Sequence, residues 1–255
     1  MSPADRTVAL VTGGGRGIGR ATAALLAARG VTVVAVSRTE RDLRALHESA
    51  GVDYIVASVE TERGCEEIVR EAISRHGRID VLVNNAGADS GGEREIWQQD
   101  PAVWRSSMAV NLDAAFHLTR LASAGMVELG FGRIVMVSST AGQIGGLRLS
   151  AYCAAKHGLL GLMRAAAQDL APHGVTCNAV CPGWVRTPMS EQTAAVEAAE
   201  QGVSVEQIWR ERDASSPAGR VVTTEEVAEA IGFLASPAAS GVNGEALTVS
   251  LGSPW

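Results

Sequence analysis

The stretch Thr7-Val-Ala-Leu-Val-Thr-Gly-Gly-Gly-Arg-Gly-Ile-Gly19 decides the fold. Together with the Ala- and Leu-rich run up to Arg29, it predicts a strand, a glycine loop and a helix. Glycines let the backbone turn sharply and approach a ligand, and a helix start offers free N–H groups and a positive dipole end to a pyrophosphate. The stretch therefore predicts a dinucleotide site. Its candidate contacts are Gly13, Arg16, Gly17, Ile18 and Gly19.

Apolar strand-like runs alternate with amphipathic helical segments along the rest of the chain. Further strands are expected at 31–36, 53–57, 79–83, 134–137, 175–180 and 246–249. Because no linker or composition break interrupts the alternation, we predict one domain over 1–255. Its expected fold is a Rossmann-type α/β fold, a doubly wound parallel sheet of about seven strands in the order 3-2-1-4-5-6-7 with helices on both faces.

A candidate for chemistry lies in Ser139, Tyr152 and Lys156. If 150–171 is helical, the tyrosine and the lysine lie one turn apart on one face. A phenol titrates near pH 10, and a neighbouring ammonium would lower its pKa toward the range of a useful acid. Ser139 follows a buried strand at its carboxyl end, where a hydroxyl could hold a carbonyl group. A packed tyrosine beside a solvated lysine is the ordinary alternative at this spacing.

The end of the second strand bears on cofactor choice. An acidic residue there would bind the ribose 2′-hydroxyl of NAD, but the sequence has Ser37-Arg38 and no carboxylate at that point. Arg38 and Arg16 could instead clamp the 2′-phosphate of NADP, because guanidinium groups match phosphate oxygens. The alternative is two solvated surface arginines. We favour NADP.

Composition excludes several classes of function. The chain has 255 residues, 46% hydrophobic and 20% charged, with a net charge of -6. This balance disfavours nucleic acid and membrane surfaces as partners. No leader pattern in 1–7 and no apolar run of about 20 residues is found, so we expect a soluble cytoplasmic protein. The four cysteines match no metal-ligand spacing, and we expect no metal site.

The segment 189–216 carries surface-helix patterns just past a strand end, and we expect it to be a substrate lid. A mostly apolar substrate pocket is expected from Gln143, Leu147, Trp184, Met189 and Trp209.

Small residues along the helix after Tyr152 suggest a self-association surface, with close packing on the sheet as the alternative. Asn111, inside the long helical stretch from 101 to 129, could perturb the backbone, hold a water or be a satisfied core amide.

From Thr7 to Val249 the chain resembles the short-chain dehydrogenase/reductase family. The resemblance rests on the glycine loop, Asn84 to Gly87, Asn111, the Ser139, Tyr152 and Lys156 set, and Pro182-Gly183 with Thr187. The resemblance implies that Tyr152 protonates a carbonyl oxygen as NADPH delivers hydride, and that Ser139 orients the carbonyl. It also implies that Lys156 lowers the pKa of Tyr152 and binds the nicotinamide ribose. Asn111 is implied to support a chain of water molecules that returns the proton. Further implied cofactor contacts are Asn85, Ala86 and Gly87 on the adenosine side, Val185 and Thr187 at the carboxamide end, and Pro182 and Gly183. Ser58-Val59 stands where the family usually has Asp-Val, so the adenine contact expected there would come from Ser58 and Val59. Ser37, at the end of the second strand, is a further candidate cofactor contact.

Within the family, the chain is most similar to ketoreductases of the 3-oxoacyl and polyketide type. We therefore expect NADPH-dependent reduction of a ketone, with a β-keto thioester or a polyketide-like ketone as candidates, by a homotetramer or a dimer. Two alternatives remain open at this point. One is a secondary alcohol dehydrogenase working in the oxidative direction, and the other is a non-catalytic dinucleotide-binding protein.

Overall fold

The computed structural model describes residues 7–88 and 94–253, and this part of the chain holds a seven-stranded sheet. The strands are β1 (Val8–Thr12), β2 (Thr32–Ser37), β3 (Asp53–Val56), β4 (Val81–Asn84), β5 (Gly132–Val137), β6 (Val175–Pro182) and β7 (Ala246–Val249). All neighbouring pairs are parallel, in the order β3-β2-β1-β4-β5-β6-β7. The predicted fold class and strand order are confirmed.

Helices connect the strands. They are α1 (Gly17–Ala28), α2 (Glu40–Ala50), α3 (Glu62–His76), α4 (Pro101–Met108), α5 (Ala114–Leu129), α6 (Ser150–Leu170), α7 (Pro188–Gln201), α8 (Val205–Ala214) and α9 (Thr224–Leu234). A π-helical segment, Ala109–Asp113, joins α4 to α5 and contains Asn111. The local backbone perturbation that the asparagine suggested is therefore present.

Alternating side chains of the strands build one core on each face of the sheet. Leu10 and Ile134 belong to a core that includes α3, α5 and α6. Val11 and Val135, their chain neighbours, point the other way into a core with α1, α2 and α9. Each fully buried side chain of this kind contributes roughly 1.5–3 kcal/mol. Burial on both faces leaves the ends of the strands as the place for polar chemistry.

The segment that follows β6 has a small hydrophobic core of its own. Ala194 and Ala198 of α7 pack against Ile208 and Trp209 of α8. Thr187 begins α7 with a reciprocal capping box to Ser190. At the start of α8, Ser204 forms one half of such a box. The Ser204 side chain accepts from the Gln207 N–H, while the Gln207 amide binds Glu211.

Within residues 7–88 and 94–253, no helix is both long enough and apolar enough to cross a lipid bilayer.

Candidate active site

The carboxyl ends of β1 and β4 are tied to each other beside the glycine loop. Thr12 Oγ1 accepts hydrogen bonds from the backbone N–H groups of Asn85 at 3.1 Å and Ala86 at 3.0 Å. In return, Asn85 Nδ2 donates to the Thr12 carbonyl oxygen at 2.8 Å. Asn85 and Ala86 therefore fix the loop after β1 by hydrogen bonds within the protein, and these bonds do not require a cofactor.

The glycine loop is shaped for a close backbone approach. Gly13 and Gly17 have φ angles of 65° and 52°, which favour glycine. A Cβ atom on Gly19 would overlap the Gly13 carbonyl oxygen and Asn85 Nδ2. At the start of α1 no side chain caps the free N–H groups and the first turn holds no acidic residue. Because an anion would meet free donors and a positive dipole end there, these residues fit a pyrophosphate.

Tyr152 and Lys156 lie in the first two turns of α6. Lys156 is 3% exposed and its Nζ donates to the Val137 carbonyl oxygen at 2.9 Å, at the end of β5. The same Nζ is 5.6 Å from the centroid of the Tyr152 ring. The two residues therefore share a helix face as the sequence predicted, and the lysine is buried.

Burial changes the acidity of two groups at this point. It lowers the pKa of Lys156 to about 8 because the ammonium loses its water. It raises the pKa of the nearby Cys181 thiol to about 11 for the same reason. Near neutral pH the lysine is still cationic and the thiol is neutral, so the site holds one positive charge next to the tyrosine.

Ser139 stands directly before a short 3-10 turn, Thr140–Gly142, that packs against α6. Its Oγ accepts from the Ala141 N–H at 3.1 Å, so its own hydrogen can donate to a carbonyl oxygen. Close packing against α6 holds this 3-10 turn in position. A Cβ atom on Gly142 would lie 2.9 Å from the Lys156 carbonyl oxygen, and Ser138 Oγ donates to that same oxygen at 3.1 Å.

Asn111 is 1% exposed and holds the chain that follows β4. Its Nδ2 donates to the carbonyl oxygens of Ala88 at 2.9 Å and Ser107 at 3.0 Å, and its Oδ1 accepts from the Ala88 N–H at 3.3 Å. A Cβ atom on Gly87 would lie 3.0 Å from Asn111 Oδ1 and 3.5 Å from Lys156 Nζ. The structure thus brings Gly87, which resemblance assigned to the adenosine side, next to the asparagine and the lysine.

Each of the two candidate phosphate-binding arginines stands beside a carboxylate. Arg16 Nε lies 3.5 Å from Asp42 Oδ2, and Arg38 Nη1 lies 2.6 Å from Glu60 Oε1. Asp42 belongs to the first turn of α2, and its Cβ lies beside Gly15 near Ser37. The end of β2 itself carries no carboxylate, as its sequence shows, but Asp42 of α2 lies close to that strand end.

The other expected cofactor contacts lie in two places. A Cβ atom on Gly17 would lie 3.2 Å from Thr187 Cγ2, so the start of α7 touches the glycine loop. Val185 is buried in the core beside α9, where its backbone pairs with Val222. After β3, Ser58 Oγ accepts from the Glu60 N–H at 3.3 Å, while Val59 is buried.

The expected substrate pocket is only partly assembled. Trp209 is wrong as a pocket residue, because it is 3% exposed inside the core shared by α7 and α8. The Trp184 ring is covered by the Arg212 guanidinium, whose carbon lies 3.9 Å from the ring centroid. Leu147 is 85% exposed, Met189 is partly exposed, and Gln143 bonds to Thr248. Leu147 and Met189 remain as apolar side chains that a ligand could reach.

A three-way ion pair near the site was missed from sequence. Arg148, in the loop before α6, pairs with Glu95 at 2.9 Å and with Glu200, in the last turn of α7, at 3.3 Å. Its φ of 55° is rare for a residue with a side chain. Thr187, the residue before α7, lies beside the glycine loop, and Glu200 in the last turn of α7 pairs with Arg148, so this helix runs from the glycine loop to the loop before α6. No periodic pattern in the sequence marks these partners.

Comparison with known proteins gives a consistent result. Residues 13–253 match the protein family described as Enoyl-(Acyl carrier protein) reductase. A protein of Streptomyces virginiae named as a ketoacyl reductase of the monensin polyketide synthase is 41% identical, over 98% of this chain and 97% of its own length. A D-beta-hydroxybutyrate dehydrogenase of Cupriavidus necator is 38% identical, over 92% and 93%. A solved variant of actinorhodin polyketide ketoreductase with NADPH superposes with a TM-score of 0.93 at 37% identity, covering 99% of this chain and 98% of the other.

Proposed function

Because this chain belongs to the short-chain dehydrogenase/reductase family and is an oxidoreductase acting on CH–OH and C=O groups, we propose that it reduces a ketone to a secondary alcohol with NADPH. The observation that carries the proposal is the buried Lys156 amine beside the Tyr152 ring at the carboxyl edge of the sheet. The alternative of a non-catalytic dinucleotide-binding protein is set aside.

The glycine loop and the start of α1 would hold the pyrophosphate, as their open donors and close backbone allow. Arg16 and Arg38 would bind the 2′-phosphate, which requires that they exchange their present carboxylate partners for it. Bound NADPH supplies the hydride for the carbonyl carbon. The ketoreductase neighbour with NADPH supports this choice of cofactor.

In the proposed reaction, Ser139 donates to the carbonyl oxygen and holds it beside Tyr152. As the hydride adds to the carbon and the C=O π bond breaks, the electron pair moves to the oxygen, which takes the phenol proton of Tyr152. The Lys156 ammonium, cationic below its pKa of about 8, stabilises the resulting phenolate. Asn111 keeps Gly87 and Ala88 in place next to the amine.

The substrate we propose is a partly apolar ketone, with a β-keto thioester or a polyketide-like ketone as the candidates. The exposed side chains of Leu147, just before α6, and Met189, in the first turn of α7, support an apolar part of the substrate. We propose that 189–216 acts as the lid over it. The relative named as a ketoacyl reductase supports a ketone next to an acyl chain.

A secondary alcohol dehydrogenase working toward oxidation is the second candidate. The specific observation in its favour is the relative named as a hydroxybutyrate dehydrogenase. The same residues serve both directions, since a phenolate held by Lys156 can take the proton of an alcohol.

The experiment is an absorbance assay with NADPH and a panel of ketones, β-keto thioesters and an enoyl thioester, and with NADP and secondary alcohols. We expect ketone reduction that falls by about 10²–10⁴ in Tyr152→Phe, the usual worth of a general acid. Tyr54→Phe, which changes the only other tyrosine of the chain, is the matched control and should keep full turnover. Equal turnover of Tyr152→Phe and the parent, or reduction of the enoyl thioester alone, would exclude the proposed reaction.

We propose that the protein works as a homotetramer or a dimer. Of the small residues along α6, Ala155 and Ala166 are buried within the chain and Gly158 lies against Leu112, so packing accounts for these three. Gly161 faces open space and remains available for a partner. Light scattering on the purified protein measures the oligomeric state, and a monomer at working concentration would contradict the proposal.

A further inference from the structure

The two arginines of the proposed 2′-phosphate site each stand beside a carboxylate. Asp42 Oδ2 is 3.5 Å from Arg16 Nε, and Glu60 Oε1 is 2.6 Å from Arg38 Nη1. Asp42 also pairs with Arg41 at 3.1 Å, so this group holds three positive and two negative charges. A phosphate that enters this group meets arginines whose charge is largely compensated by the carboxylates, and its gain in electrostatic energy is smaller than uncompensated arginines would give.

The two carboxylates differ in their burial. Glu60 and Arg38 are 45% and 67% exposed, so water screens their pair and gives it little energetic weight. Asp42 is 12% exposed, and its Oδ2 receives no hydrogen bond from any residue in the described ranges. Its other oxygen accepts from Arg41 at 3.1 Å. A buried acceptor without a donor costs folding free energy, so Oδ2 is placed to accept a hydrogen bond from an additional hydroxyl or N–H group.

Asp42 reaches the place that an acidic residue at the end of β2 would occupy, but it comes from another element. A Cβ atom on Gly15 would lie 3.3 Å from Asp42 Cβ and 3.2 Å from Ser37 Oγ, so aspartate, serine and glycine loop are in contact. An acidic group at this position accepts the ribose 2′-hydroxyl of NAD. A 2′-hydroxyl can donate to Asp42 Oδ2, whereas a 2′-phosphate brings a further negative charge.

We propose that Asp42 is a specificity-determining residue that limits the preference for NADPH, so that NADH also binds with its 2′-hydroxyl on Asp42 Oδ2. The inference rests on the proposed function, because it concerns the same dinucleotide site. Arg16 and Arg38 favour the phosphate, and Asp42 opposes it. The protein therefore discriminates between the two cofactors less than its two arginines alone would.

The test compares adenosine 2′,5′-bisphosphate with 5′-AMP, which differ only in the 2′-phosphate, by calorimetry on the parent and on Asp42→Asn. We expect Asp42→Asn to bind the bisphosphate about three- to tenfold more tightly, the effect of one charge a few ångströms away in a well-solvated site. Its affinity for 5′-AMP should stay equal or fall. Glu40→Gln is the control, because it removes the same charge in the same helical turn but from a partner of Arg44, 2.7 Å away.

Each other outcome has a definite meaning. Weaker binding of the bisphosphate by Asp42→Asn would show that Asp42 orients Arg16, and this or an unchanged affinity ratio would overturn the inference while leaving ketone reduction intact. If Glu40→Gln changes the ratio of the two affinities as much as Asp42→Asn does, the effect is not local and the role proposed for Asp42 is excluded. A parent protein that binds neither the bisphosphate nor NADPH would overturn the proposed function together with the inference. Thermal unfolding checks that the variant is folded, and Asp42→Ser carries the same test if it is not.

Discussion

Lys156 Nζ donates to the Val137 carbonyl oxygen at 2.9 Å, which anchors the amine of α6 to the end of β5. The amine thus has a fixed position and is almost fully buried. Lys156 is also the only lysine among the 255 residues, since every other basic side chain apart from the histidines is an arginine. Any probe that reports on lysine side chains therefore reports on the candidate active site alone.

The acidity of Lys156 can be measured directly. Burial is expected to give it a pKa of about 8 in the free protein. Protein prepared with lysine that carries ¹³C at the ε carbon should show a single lysine signal in NMR, and this signal should titrate with a midpoint near pH 8. A midpoint near the ordinary lysine value would contradict the burial of the amine.

The same shift predicts how stability depends on pH. Because the folded-state pKa of Lys156 is lower than the unfolded value of 10.5, the unfolded chain binds more protons between pH 8 and 10.5. The cost of the buried cation is complete below about pH 8 and disappears as the pH rises through 10.5. Relative to Lys156→Met, the parent should gain up to about 3 kcal/mol of unfolding free energy over this range. Urea unfolding of both proteins at several pH values measures it, and a constant difference would exclude the linkage.

Gly19→Ala tests the shape of the glycine loop. The new methyl group would overlap the Gly13 carbonyl oxygen and Asn85 Nδ2, so the loop must move away from β4. We expect binding of NADPH to fall by at least about tenfold, measured by nucleotide fluorescence, with a loss of stability of about 1–3 kcal/mol. Gly125→Ala in α5 is the matched control, because its methyl group meets nothing within 4 Å and should leave binding unchanged. Equal binding by both variants would show that the loop tolerates the methyl group.

Arg148→Gly tests the ion pairs that hold the end of α7. It removes the contacts with Glu95 and Glu200 and also relieves the positive φ, so global stability should change by less than about 1 kcal/mol. If α7 covers the substrate, KM for the ketone should rise several-fold while kcat changes little, and added salt should raise KM of the parent but not of the variant. Arg63→Ala, which breaks an exposed pair with Glu67 on α3, is the control. An unchanged KM in Arg148→Gly would argue against a lid held by this residue.

Much of the fold, and the placement of Tyr152 beside Lys156, could be predicted because their signals are local. Strand runs, the glycine loop and the four-residue spacing of Tyr152 and Lys156 each lie within a short piece of chain, and the parallel sheet brings their ends together. Asn111 also gave a local signal, since an asparagine inside an apolar helix marks a perturbed backbone, and the structure has a π-helical segment there.

The parts that sequence analysis missed depend on contacts between distant segments. Asp42 belongs to a helix, and only the packing of α2 against the glycine loop places it near Ser37. Trp209 was expected in the substrate pocket because it lies on an amphipathic helix, but helical periodicity does not say which neighbour the apolar face meets. Here that neighbour is α7. The partners of Arg148 lie 53 and 52 positions away, with no pattern that connects them.

The small core between α7 and α8 has a consequence for how such a protein can diversify. Ile208 and Trp209 pack against Ala194 and Ala198 in a cluster separate from the two cores of the sheet. The Arg212 guanidinium lies over both the Trp184 and the Trp209 rings. The two helices thus form a nearly self-contained module beside the sheet. If these helices form the substrate lid proposed above, exchange of the pair alone should change which ketones the protein accepts, while the two cores of the sheet keep their own packing.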